Sequence, residues 1–106
     1  MREITAKEFT QLIDAETSFI VHFWAEWNQY DSDQRIILEK IKIKFQDIPI
    51  FQMNVDIQEN FDICKRHNVQ GPPTIVFYRL GNLVRREVGL IKEQAIDEML
   101  RVGTIV

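Results

Sequence analysis

The chain has 106 residues, 45% hydrophobic and 27% charged, with a net charge of −3. That is the size and composition of one globular domain spanning residues 1–106, long enough to bury a core. The acidic balance argues against a nucleic-acid partner, which is usually met by a basic face.

Residues 1–18 carry Arg2, Glu3, Lys7, Glu8, Asp14 and Glu16, which leaves no room for a signal-peptide apolar region. No run approaches the roughly 18 apolar residues of a membrane span. The single cysteine, Cys64, excludes an internal disulfide and fits a reducing compartment. The expectation is a cytoplasmic protein with no membrane contact, no metal and no cofactor.

Strand and helix signals alternate without a linker, a repeat or a low-complexity tract. Glu3 to Thr5 reads as a short strand, and Thr5 with Glu8 has the capping-box spacing that opens a helix to about Ala15. Residues 19–25 are almost continuously apolar, as in a strand covered on both faces. A long helix is expected from about Asp31 to Phe45, with Leu38, Ile41 and Phe45 at helical spacing. Ile50 to Val55 reads as a third strand. Asp56 and Glu59 have capping-box spacing for a helix ending near His67-Asn68. Thr74 to Arg79 and Leu83 to Val88 form a hairpin across Gly81-Asn82. Ala95, Ile96, Met99 and Leu100 give the last helix an apolar face. This order suits a mixed β-sheet flanked by α-helices on both faces, an α/β fold.

Four separated blocks carry a family resemblance. They are Phe19 to Trp27, Val55-Asp56, Val69-Gln70-Gly71-Pro72-Pro73-Thr74, and the pair Gly81-Asn82 with Val88-Gly89. The chain resembles thioredoxins over nearly its whole length, which implies the thioredoxin fold, with Pro73 as the family's cis-proline and Gly89 facing the active site. In that family the residue matching Trp27 is followed directly by Cys-Gly-Pro-Cys. Here the two cysteine positions hold Asn28 and Asp31, so dithiol–disulfide oxidoreductase activity is not expected and no catalytic residue is assigned.

The substitutions have local meanings of their own. Asparagine is a strong N-cap, so Asn28 suits a helix start, and a carboxylate at Asp31 gains from the helix dipole. Asp31 is alternatively the cap itself, with Gln34 at capping-box spacing. Other departures from the family pattern accompany these. His22 matches an aspartate of the central strand, Gln52 a lysine, and Ile36 a kinking proline, so this helix is expected to be straighter. Pro72 stands before the cis-proline, where the resemblance implies that backbone N–H and C=O groups hold a substrate chain; proline has no N–H.

His22 has two readings: a buried neutral histidine with one partner, or a His22–Asp31 pair in which the carboxylate raises the histidine pKa. Cys64 is either a small core hydrophobe, facing inward with Ile57 and Phe61, or a reactive thiol tuned by His67. Cys64 and His67 share metal-ligand spacing, but two such residues are weak evidence for zinc. Trp27 and Tyr30 are the positive clue, because these residue types dominate binding hot spots. Glu26, Asp31 and Asp33 are candidates for an acidic rim; the opposing reading has Tyr30 folded onto the domain and the acids merely solvated.

The favoured expectation is therefore a redox-inactive protein-binding module, an adaptor, assembly factor or chaperone. It would use the former active-site surface of Trp27, Tyr30, Pro72, Pro73 and Gly89. A divergent thiol-redox protein using Cys64 alone or with a partner thiol is the alternative. The partner is expected to be a protein, and exposed aromatics also allow a homodimer.

Overall fold

The computed structural model describes residues 1–105. Five strands build one mixed sheet in the order β1-β3-β2-β4-β5. They are β1 (Arg2–Glu3), β2 (Phe19–Trp24), β3 (Ile50–Asn54), β4 (Thr74–Arg79) and β5 (Asn82–Val88). β3 runs parallel to both β1 and β2, whereas β4 is antiparallel to β2 and to β5. Four helices complete the fold: α1 (Ala6–Asp14), α2 (Asp31–Lys44), α3 (Phe61–Arg66) and α4 (Glu93–Ile105).

β2 is central, and its side chains alternate between two cores, as the period of a strand requires. Phe19, Val21 and Phe23 enter a cluster with Phe9 of α1 and Ile63 and Cys64 of α3. Ile20 enters a second cluster with Leu38 and Ile41 of α2 and Ile96, Met99 and Leu100 of α4. His22 shares the phase of Ile20, so it points to the side of the sheet that α2 covers. A polar side chain is thereby delivered beneath the start of α2, and this placement sets up the site.

Local signals explain most boundaries. The Thr5 hydroxyl accepts from the Glu8 N–H at 3.0 Å, and the Glu8 carboxylate accepts from the Thr5 N–H at 3.0 Å, the expected capping box. The hairpin turn falls one residue earlier than expected, at Leu80-Gly81, both with positive φ. Glycine is required at 81, since a Cβ there would lie 2.6 Å from the Ile13 carbonyl oxygen. α2 runs 14 residues without interruption, with Ile36 exposed on it.

Three expectations need correction. Asp56 and Glu59 do not form a capping box: a 3-10 turn at Gln58–Asn60 comes first, with Ile57 at its N-cap and no side-chain cap. Ile57 precedes that turn and Phe61 is the first residue of α3, and both face solvent rather than the core with Cys64. Ala95 is exposed, while Ile96, Met99 and Leu100 supply the buried face of α4.

Candidate functional site

The site lies where β2 ends, α2 begins, and the Gly71-Pro72-Pro73 loop approaches. α2 opens without a side-chain cap from its N-cap residue, Tyr30. The expectation that Asn28 or Asp31 caps the helix is therefore corrected, and both side chains have other partners. The Asn28 Oδ1 accepts from the Tyr30 N–H at 2.9 Å, while its Nδ2 donates to the Pro72 carbonyl at 3.0 Å. Asn28 thus clamps the start of α2 to the loop 44 residues further along. The Pro72–Pro73 peptide bond is cis, and the Gly89 N–H donates to the Pro73 carbonyl at 2.8 Å. Gly89 has φ +87°, the left-handed region that glycine occupies without strain.

Asp31 turns inward and is only 3% exposed, so it is not part of an acidic rim. Its Oδ2 accepts from the Ala25 N–H at 2.9 Å, and its Oδ1 lies 3.1 Å from His22 Nε2. The His22–Asp31 pair, one of the two readings of this histidine, is formed. Its electrostatic consequence is that of the other reading, a buried neutral histidine: burial pushes the His22 pKa down to about 4, against the opposing pull of Asp31. His22 Nδ1 has no hydrogen-bond partner, so a proton there would be a buried, unpaired N–H. The stable form is the neutral imidazole with Nε2–H donating to Asp31.

Gln34 is a site residue the sequence reading missed. It is fully buried; its Nε2 donates to the Ile91 carbonyl at 3.1 Å, and its Oε1 accepts from the Ile91 N–H at 2.7 Å. This two-way amide clamp ties α2 to the segment following Gly89. The only local signal was its spacing from Asp31, which pointed to a cap instead.

Trp27 and Tyr30, three residues apart on the β2–α2 loop, are both exposed, so Tyr30 does not fold onto the core. Trp27 is nonetheless oriented, since its Nε1–H donates to Asp56 Oδ2 at 2.9 Å. Behind the loop, Trp24, Asn28, Asp31, Ser32, Arg35 and Gln52 line a cleft of about 540 Å³. Arg35 lies over the Trp24 ring and donates to Gln52, the residue paired with His22 across β2 and β3.

Cys64 is not in this site. It is buried in the core on the opposite side of the sheet, and burial pushes its thiol pKa up. His67 does not tune it: His67 Nδ1 lies 3.0 Å from the Tyr78 hydroxyl, and burial, followed by Arg66, lowers the His67 pKa. Among the described residues, no group of three or more His, Cys, Asp or Glu side chains is placed to hold a metal ion. No helix among them is long and apolar enough to cross a membrane.

The family model described as Thioredoxin matches residues 1–102. The chain belongs to the thioredoxin family. It is 26% identical over 102 residues to a thioredoxin of Mycoplasmoides gallisepticum, covering 95% of this chain and 100% of that one. It is 27% identical over 93 residues to a thioredoxin of Mycoplasma genitalium, covering 88% of this chain and 89% of that one. The structure of mitochondrial thioredoxin 3 from Saccharomyces cerevisiae, in its oxidized form, superposes with a TM-score of 0.84 at 24% identity, covering 96% and 94% of the two chains. A mutant thioredoxin from Halobacterium salinarum NRC-1 gives 0.79 at 22% identity, covering 95% and 86%. The thioredoxin fold is therefore present, carrying Asn28 and Asp31 at the head of α2.

Proposed function

We propose that this thioredoxin-family chain is a protein-binding module that performs no dithiol–disulfide exchange. The observation carrying this reading is the commitment of both Asn28 and Asp31 to fixed hydrogen bonds. Asn28 closes onto the Pro72 carbonyl, and Asp31 is spent inward on Ala25 and His22. Neither side chain can exchange a disulfide.

The same geometry restricts how a partner is held. Pro72 has no N–H to donate, and its carbonyl already accepts from Asn28, so strand-like pairing of a client at this residue is suppressed. Recognition then falls to side chains, with Trp27 and Tyr30 as exposed aromatic anchors, whereas Pro73, expected on this surface, is buried. The opposing reading, thiol chemistry through Cys64, requires a reachable thiolate; burial and a raised pKa both work against it.

Two assays test the proposal together. Insulin disulfide reduction is expected to be absent in wild type and in Cys64→Ser alike; turnover that needs Cys64 would overturn the redox-inactive reading. A pull-down under reducing conditions is expected to retain a stoichiometric protein with wild type and lose it with the folded Trp27→Ala/Tyr30→Ala variant. Equal capture by both would remove the aromatic loop as the binding surface.

A further inference from the structure

The Trp27–Asp56 hydrogen bond joins two chain segments that share an unusual composition. Residues 24–33 and 54–62 contain no lysine or arginine. They carry four large exposed apolar side chains: Trp27 (68% exposed), Tyr30 (48%), Ile57 (41%) and Phe61 (53%). The same two segments carry Glu26, Asp33, Asp56 and Glu59, all exposed, with Asp56 bonded to the Trp27 indole. An apolar cluster rimmed by one sign of charge is the usual form of an interaction surface.

The charge pattern says what kind of partner fits. Some acids elsewhere are matched internally, Arg2 with Glu8, Lys44 with Glu93 and Asp97, Arg85 with Glu87, and Arg101 with Asp97, while Asp14, Glu16, Asp47 and Glu98 stand without an ion pair but outside any such apolar group. Arg66 likewise pairs with Asp62 at the edge of the patch. Glu26, Asp33 and Glu59 have no such ion pair among the described residues, and Asp56 is held by the Trp27 indole alone at its carboxylate. Their negative field remains for an incoming group.

Resting on the binding-module reading, we infer that the Trp27–Phe61 face docks a protein segment in which lysine or arginine alternates with large apolar residues. Apolar side chains of that segment lie on Trp27, Ile57 and Phe61, while its cations meet Glu26 and Glu59. Trp27 is pre-oriented by Asp56, which lowers the entropy lost when the indole is covered. The Ile57 and Phe61 flank extends this face beyond the loop that replaces the dithiol.

The test uses the full isotopically labelled chain and two synthetic amphipathic peptides, one of leucine and lysine, the other of leucine and glutamate. The leucine–lysine peptide is expected to shift the Trp27 indole N–H and the amides of residues 56–62 in NMR spectra. Its affinity is expected to fall about tenfold or more between low and high salt, and the leucine–glutamate peptide is expected not to bind. Glu26→Gln/Glu59→Gln, two surface changes that leave the core untouched, should weaken binding about tenfold. Phe61→Ser should weaken it at unchanged charge. Shifts centred on α4 instead, or binding unaffected by Glu26→Gln/Glu59→Gln, would overturn the inference. A partner lost with Trp27→Ala/Tyr30→Ala but indifferent to the charge changes would leave the module reading intact and remove only the basic partner.

Discussion

His22 Nε2 lies 3.1 Å from Asp31 Oδ1, with both residues closed off from solvent on the α2 side of the sheet. A histidine from the middle of the central strand and a carboxylate from the first turn of α2 therefore form one buried polar unit. Asp31 also takes the Ala25 N–H, so the unit fixes how the chain leaves β2. Histidine Nδ1 is left without a partner, which makes protonation the unfavourable direction.

This unit makes stability depend on pH with a definite sign. In the unfolded chain His22 titrates near 6.5; in the folded chain burial holds it down to about 4. Between those values the unfolded state binds more protons, so the contribution is complete above about pH 6.5 and lost as pH falls toward 4. Its size is on the order of 3 kcal/mol. Urea melts from pH 7.5 to 4 should show the decline, and the His22 ring signals should hold their neutral-form shifts down to pH 5. A histidine that charges at pH 6 in the native state would contradict the assignment.

Asn28→Ala should free the Pro72 carbonyl and leave the Tyr30 N–H without its acceptor. The expected cost is about 1–2 kcal/mol, two ordinary hydrogen bonds at a partly exposed place. Chemical denaturation measures it, and amide exchange at Tyr30 should quicken well before the core residues respond.

Gln34→Leu keeps the side-chain bulk in the interior but deserts both backbone groups of Ile91. An unpaired amide and carbonyl at a part-buried site should cost about 1–3 kcal/mol and loosen the segment after Gly89. Faster hydrogen exchange at Ile91 would report the local effect. An unchanged rate would show that the clamp is not what holds this segment.

Cys64 should react slowly with a thiol reagent in the native state and quickly once the chain is unfolded. The raised thiol pKa and its place among Phe9, Ile63 and Tyr78 both limit thiolate access, and a rate difference of about tenfold or more is expected. Similar rates in the two states would restore the thiol as a candidate reactive group.

Much of the scaffold was legible because its signals are local. The Thr5/Glu8 box needs only three intervening bonds of helix geometry, and the apolar run at 19–24 specifies a doubly covered strand by composition alone. The hairpin was displaced by one residue because Leu80, a residue type that rarely takes positive φ, adopts it together with Gly81. At residues 56–64 the reading failed for a different reason. Ile57 lies before a 3-10 turn and Phe61 at the very start of α3, so the three residues do not share one continuous helix and the first two stand in solvent.

The site divides in the same way. The sequence by itself determined that no thiol stands at 28 or 31, that Pro72 has no N–H to offer, and that Trp27 and Tyr30 share a loop. Those are properties of residue types at matched positions. Tertiary structure alone decided that Asn28 reaches Pro72, that Gln34 holds Ile91 rather than capping its own helix, and that His22 is neutral despite its carboxylate partner. The first two join residues 44 and 57 positions apart. No helical or strand period encodes a meeting of that kind. The third, one of two readings left open by the sequence, follows from desolvation, which depends on everything packed around the ring and outweighs the pull of the single charge that the family resemblance had placed beside it.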